Sequence, residues 1–214
     1  MTPTWSLNEL EALSRKAARG AGYSWGLSEE AGRATRWLCA RGLAGAEALV
    51  RLLDWRDLRD HDATVPMLHP QHWQAAPKGT CPIVAGTLLS DGVGEVSPLA
   101  LHLQGVQEPL LLLPFVAWRA EAAGDALSVS FDGLRYVTRP DGHLLRSAEA
   151  GSAHDGVEVS AVAAPRGTPI MAHTRAEVAP ETMQRLTAFA TRTYAPATEA
   201  SRLAGAGAGL SDND

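Results

Sequence analysis

His61, Asp62, His69 and His72 form the densest group of potential ligands and acid–base side chains in the chain, with Cys81 a little further on. A divalent transition ion wants three or four imidazole, thiolate or carboxylate donors converging on one point. His61, His69 and His72 are therefore the candidate metal ligands. Their spacing matches no specific zinc pattern, and loop histidines on a solvated surface need no ion at all. The same groups suit proton transfer, which needs an acid or base within hydrogen-bond reach of the reacting atom. His61, Asp62, His72 and His102 are the candidate catalytic residues of a hydrolase or lyase, with or without a metal. His102 lies between Leu101 and Leu103 in a strand pattern, which puts it on the face opposite those leucines.

Other constellations have simpler readings. Gly22-Tyr23-Ser24-Trp25-Gly26 matches the string of a serine nucleophile elbow, but that chemistry needs a strand before the serine. A helix pattern precedes it, so Ser24 reads as a helix cap. Asp54, Asp57, Asp60 and Asp62 interleave with Arg56 and Arg59, which reads as an ion-paired helix end. Gly205 to Gly209 resembles half of a dinucleotide-binding fingerprint, without the following helix N-terminus that would hold a pyrophosphate. No cofactor class is assigned.

The final stretch, Arg202 to Asp214, alternates glycine and alanine and ends in Ser-Asp-Asn-Asp. Glycine loses much backbone freedom on ordering, so such a strip becomes fixed only when a surface grips it. Arg202, Leu203, Leu210, Asp212 and Asp214 are the candidate partner-binding residues: the leucines bracket the glycines as anchors, and the carboxylates suit arginines.

The elements that must position these groups can be read from period and caps. Ser6-Leu-Asn-Glu9 is a capping box, and Leu7, Leu10, Leu13 and Ala17 repeat at helical spacing, predicting a helix over 7–19. Leu27, Ala31, Ala34 and Leu38 form a second stripe, ended by Gly42, and Ala46, Leu49, Val50 and Leu53 a third. The period then changes. Strands are predicted over 83–89, 99–103, 110–118, 126–131, 134–137 and 157–162. Four Asp-Gly pairs punctuate this region and favour two-residue hairpins, so the sheet should be mainly antiparallel, with no room for helical crossovers. A last helix is expected over 181–194.

The fold class expected is α+β: a helical head (1–62), a mainly antiparallel β region (63–179), and a C-terminal helix with an extended glycine-rich tail (180–214), in one continuous folding unit.

Composition narrows the function classes. Apolar residues make up 45% and charged residues 20% of 214 residues, which is ordinary globular usage. The net charge of −5 comes from mixed signs with no basic stripe, so nucleic-acid binding is not expected. Charges interrupt the first twenty residues, which argues against an export signal. Pro114 breaks the most apolar run, so no membrane partner is expected. Two cysteines are too few for a disulfide scaffold, and a reduced cytoplasm is the expected location.

The head, Ser6 to Leu13 with Arg19-Gly-Ala-Gly-Tyr-Ser-Trp-Gly-Leu-Ser-Glu-Glu-Ala-Gly-Arg-Ala-Thr-Arg-Trp-Leu38, and the end, Thr193 to Asp214, resemble an uncharacterised family of bacterial proteins described only as a domain of unknown function. The resemblance implies no activity, cofactor or catalytic residue. The head is also similar to the N-terminal helices of the malate/lactate-type dehydrogenases that lack a Rossmann fold. In that group a Ser-His-Gly segment after the second helix carries a histidine used in hydride chemistry. Here the corresponding stretch reads Arg41-Gly42-Leu43-Ala44-Gly45, without a histidine, so the similarity implies shared helix-pair patterning and not shared chemistry.

Two functions are expected from these residues. The first is an accessory or binding protein of cytoplasmic small-molecule metabolism, a homo-oligomer or the partner of an enzyme subunit, whose tail is gripped by the partner. The alternative is a hydrolase or lyase at the histidine/aspartate group.

Overall fold

The computed structural model describes residues 3–57, 59, 62–94, 96, 100–151 and 156–194. Strand β1 (Thr4–Ser6) leads into helix α1 (Leu7–Gly20), where the Ser6 backbone N–H donates to Glu9 Oε2 at 3.3 Å. Helix α2 (Trp25–Cys39) is capped by Ser24, whose hydroxyl oxygen accepts the Leu27 N–H at 3.4 Å. The serine of the apparent nucleophile elbow is thus a helix cap, as the preceding helix requires. The two helices lie very close. A Cβ at Gly32 would come within 2.9 Å of the Glu11 carbonyl oxygen, so glycine is what permits that approach.

Helix α3 (Gly45–Arg56) has no hydroxyl or carboxylate at its N-cap, which is Ala44. The Gly45 N–H instead donates to the Leu43 carbonyl at 2.7 Å, and the buried Cys39 sulfur packs beside this helix start, 3.3 Å from where a Cβ at Gly45 would stand.

Beyond a 3-10 turn (Asp62–Thr64) come β2 (His72–Trp73), α4 (Pro82–Ser90), β3 (Leu101–Leu103), a second 3-10 turn (Pro109–Leu112) and α5 (Leu113–Ala123). Here two sequence expectations are corrected. Residues 83–89 and 110–118 form helix, not strand. Both segments are apolar on every side because they are buried on most of their circumference, so neither shows a period to identify it. Pro82 and Pro114 each sit in a first helical turn, where a missing N–H costs nothing.

The remaining strands are β4 (Leu127–Phe131), β5 (Leu134–Thr138), β6 (Leu144–Arg146), β7 (Val157–Ala161), β8 (Thr168–Ile170) and β9 (Arg175–Glu177), followed by helix α6 (Pro180–Thr191). β2 to β8 make one sheet in the order β2-β3-β7-β4-β5-β6-β8. Among neighbouring strands of the described residues, β2 and β3 pair in parallel and the other pairs are antiparallel. The mainly antiparallel expectation holds, and Asp132-Gly133 forms a two-residue hairpin with both residues at positive φ. Helical crossovers, which the sequence reading excluded, are present: α4 joins β2 to its parallel neighbour β3, and α5 joins β3 to β4, which runs the same way on the other side of β7. Pro169 in the outer strand β8 has no N–H, which blunts that edge against further pairing.

One face of the sheet, including Leu101, Leu103, Val129, Val157 and Val159, faces the core with Phe115 of α5. β1 and β9 form a separate two-stranded ribbon. α6 packs across α1 and α3 through Met183, Leu186 and Phe189.

Candidate functional site

The sheet's second face carries the histidines that the sequence singled out. β2 and β3 are in register at His72 and His102, and β3 and β7 are in register at His102 and Glu158. Residues opposite one another in a sheet share a face. His72, His102 and Glu158 therefore form a row across three strands. His102 Nδ1 stands 4.0 Å from Glu158 Oε2, an ion-pair distance rather than a hydrogen bond, and the two side chains are 53% and 21% exposed. His102 lies on the face opposite Leu101 and Leu103, as its strand pattern requires, and that face is solvated here.

The other candidates fall elsewhere. His69 is exposed in the turn before β2, where its carbonyl accepts the His72 N–H at 3.4 Å. The backbone of Asp62 opens the first 3-10 turn. His61 and the tail residues Arg202, Leu203, Leu210, Asp212 and Asp214 lie outside the described residues. Among the described residues no three His, Cys, Asp or Glu side chains converge as a metal-ligand set. Glu158 was missed by sequence reasoning. Its alternation with Val157 and Val159 placed it on a polar face, but nothing local tells which strand stands beside it.

Aspartates read as an ion-paired helix end are ion-paired, with partners far away in sequence. Asp54 pairs with Arg185, and Asp57 accepts two bonds from Arg192 at 2.7 and 3.1 Å. Both arginines belong to the last helical segment, so these carboxylates fasten α6 to α3.

A second surface was not anticipated. α1, α2 and α5 border a groove of about 340 Å³. Its lining includes Arg33, Arg36, Trp37, Arg41 and Trp118, with Glu11 as the opposing charge. The Arg41 guanidinium stacks 3.7 Å from the centroid of Trp37, and that of Arg33 4.6 Å from Trp118. Arg36 pairs with Glu11 at 2.9 Å, and Glu30, outside the lining, takes one N–H of Arg33 at 2.9 Å. Stacking holds a guanidinium plane in place and leaves further N–H donors for a carboxylate. A helical spacing of Arg33, Trp37 and Arg41 is visible in the sequence; the arrival of Trp118 from α5 is not.

A cleft of about 660 Å³ lies between the α2–α3 connection and the β9 side of the ribbon. Gly42, Leu43 and Ala44 form one wall, and His173, Arg175 and Glu177 stand on the other. Arg175 is held by Thr4, donating to its hydroxyl at 3.1 Å and its carbonyl at 2.9 Å.

Behind the head, Arg56 is 2% exposed and stacks 4.0 Å over Tyr23, whose hydroxyl lies 3.2 Å from Cys81 Sγ. Burial raises the Tyr23 phenol well above its ordinary range and raises the Cys81 thiol, so both stay neutral at physiological pH. A fully buried, neutral thiol is an inert core group.

Residues 5–81 match the model of a family described as a protein of unknown function, DUF3726. The resemblance of the head to an uncharacterised family is thereby borne out, and the match ends immediately before α4. A search of curated proteins finds no match for this chain. Among the described residues no helix is long and apolar enough to cross a membrane.

Proposed function

We propose that this chain is an accessory or binding protein of cytoplasmic small-molecule metabolism, which self-associates when the arginine–tryptophan groove of one copy grips the C-terminal strip of another. The pair of guanidinium–indole stacks in one groove carries this reading. Tryptophan and arginine dominate the energetics of protein interfaces, because they bury large areas and offer oriented donors. Three arginines against Glu11 in the lining suit an acidic occupant, and Asp212 and Asp214 are acidic. Alternating glycine and alanine keep the strip slim enough for a groove of this size, with Leu203 and Leu210 as apolar anchors.

Light-scattering mass on the full chain tests it. The expected result is a dimer that reverts to monomer mass when Leu203 to Asp214 are deleted, and again in the Arg33→Glu/Arg41→Glu variant. A monomeric full chain, or a mass unchanged in both variants, overturns the proposal.

One observation favours a second reading, a hydrolase or lyase using the histidine/aspartate group. His72 and His102 stand side by side with Glu158 next in line, an arrangement in which one imidazole is backed by a carboxylate and another is near. That reading expects turnover of a small-molecule substrate that His102→Gln abolishes in folded protein.

A further inference from the structure

We infer that His72 and His102 together bind one divalent transition ion, with Glu158 as the carboxylate behind His102. The inference is independent of the groove and does not require turnover. Adjacent strands lie about 4.8 Å apart, and in-register residues project from the same face. Two imidazole nitrogens on one ion at about 2.0–2.1 Å are separated by roughly 3.4 Å in a tetrahedral arrangement. Rings rooted on neighbouring strands reach that separation by leaning toward each other slightly, with no backbone movement.

Three features favour this pair as ligands. The pair is held by the sheet itself, since the His102 N–H donates to the Gln71 carbonyl at 3.0 Å and the Gln104 N–H to that of Trp73 at 2.9 Å. Both roots are therefore rigid, and the ordering cost of bringing two donors together is already met by the fold. Glu158 places a negative charge 4.0 Å from His102 Nδ1. It favours a cation nearby, and a small side-chain shift lets it accept the Nδ1–H, which fixes the tautomer that presents Nε2 to an ion. Finally, His102 is half exposed, so an ion can reach it from solvent and retain water in its remaining positions.

Two imidazoles and water select an ion that favours nitrogen donors, of the copper, nickel or zinc kind, over magnesium or calcium. The ligand pair differs from the one suggested by local spacing. His69 precedes His72 in a tight turn, yet the partner of His72 comes from β3.

Copper(II) titration of chelator-stripped full-length protein, followed by electron paramagnetic resonance, tests the site. The expected result is one tightly bound ion per chain with two nitrogen donors in its spectrum. His72→Asn and His102→Asn should each lose one nitrogen and weaken binding at least tenfold, and Glu158→Gln should weaken it with both nitrogens kept. His69→Asn and His173→Asn should change neither. Zinc should displace the copper, and magnesium should not. A spectrum and affinity unchanged in both His72→Asn and His102→Asn overturn the proposal, as does loss of a nitrogen in His69→Asn. Both substitutions lie on a solvated face, and circular dichroism confirms that the variants are folded before they are compared.

Discussion

Cys39 illustrates how one side chain can serve a structural end with a chemically reactive group. Its buried sulfur lies beside the start of α3, in the wall of the 660 Å³ cleft. Burial pushes the thiol up from 9.0 to about 11, against the opposing pull of the Ala46 and Gly45 N–H groups. A thiol with a raised pKa keeps its proton longer in the folded chain than in the unfolded one. Its contribution to stability is complete below pH 9 and is lost as pH rises toward 11. The melting temperature should therefore fall across that window, and Cys39→Ala should make the fall shallower while lowering stability at neutral pH, where the buried sulfur leaves a small cavity. Buried Tyr23 and Cys81 act in the same direction, so the slope should shrink and not vanish. Differential scanning calorimetry at several pH values reads this directly.

At the scale of elements, the contact between α4 and α5 is the tightest constraint on the central region. A Cβ at Gly86 would lie 2.3 Å from Phe115 Cδ2 and 2.5 Å from its Cγ, and Phe115 is completely buried. The root of a packed ring cannot swing aside, so Gly86→Ala must displace a helix. Overpacking of this kind typically costs about 1–3 kcal/mol, which urea unfolding should register despite alanine's better helix propensity. The same contact explains why both segments hide from periodicity analysis. Helices α1, α2 and α6 each keep a polar face and were legible from their stripes and caps. α4 and α5 lie between the head and the sheet, with apolar surface required almost all round. Length, too, misleads here, since the short run 83–89 suits a buried strand as well as a helix segment.

Over the whole molecule, the C-terminal helix closes the head. The buried Met183, Leu186 and Phe189 of α6 pack into it, and Asp54–Arg185 and Asp57–Arg192 tie the rims together. Exposed ion pairs contribute up to about 1 kcal/mol each and are screened by salt. The Asp54→Asn/Asp57→Asn variant should therefore lose little stability, with the difference from the parent chain shrinking as salt is raised in parallel urea titrations. Leu186 is completely buried, and Leu186→Ala should cost about 2–5 kcal/mol at any ionic strength. The contrast separates apolar docking from charge as the cause of α6 attachment.

The amino-acid sequence by itself determined what depends on neighbours a few residues away: the caps at Ser6 and Ser24, the stripes of the amphipathic helices, the Asp132-Gly133 hairpin, and the side of β3 on which His102 lies. These are set by hydrogen bonds and periodicities internal to one segment. Only the tertiary structure decided which distant groups meet. His72 faces His102 and then Glu158 because three strands pair in one register, Trp118 joins Arg33 because α5 packs against α2, and Asp57 finds Arg192 because α6 returns to α3. Register and docking are fixed by burying apolar faces collectively, and no local stretch of residues carries that information.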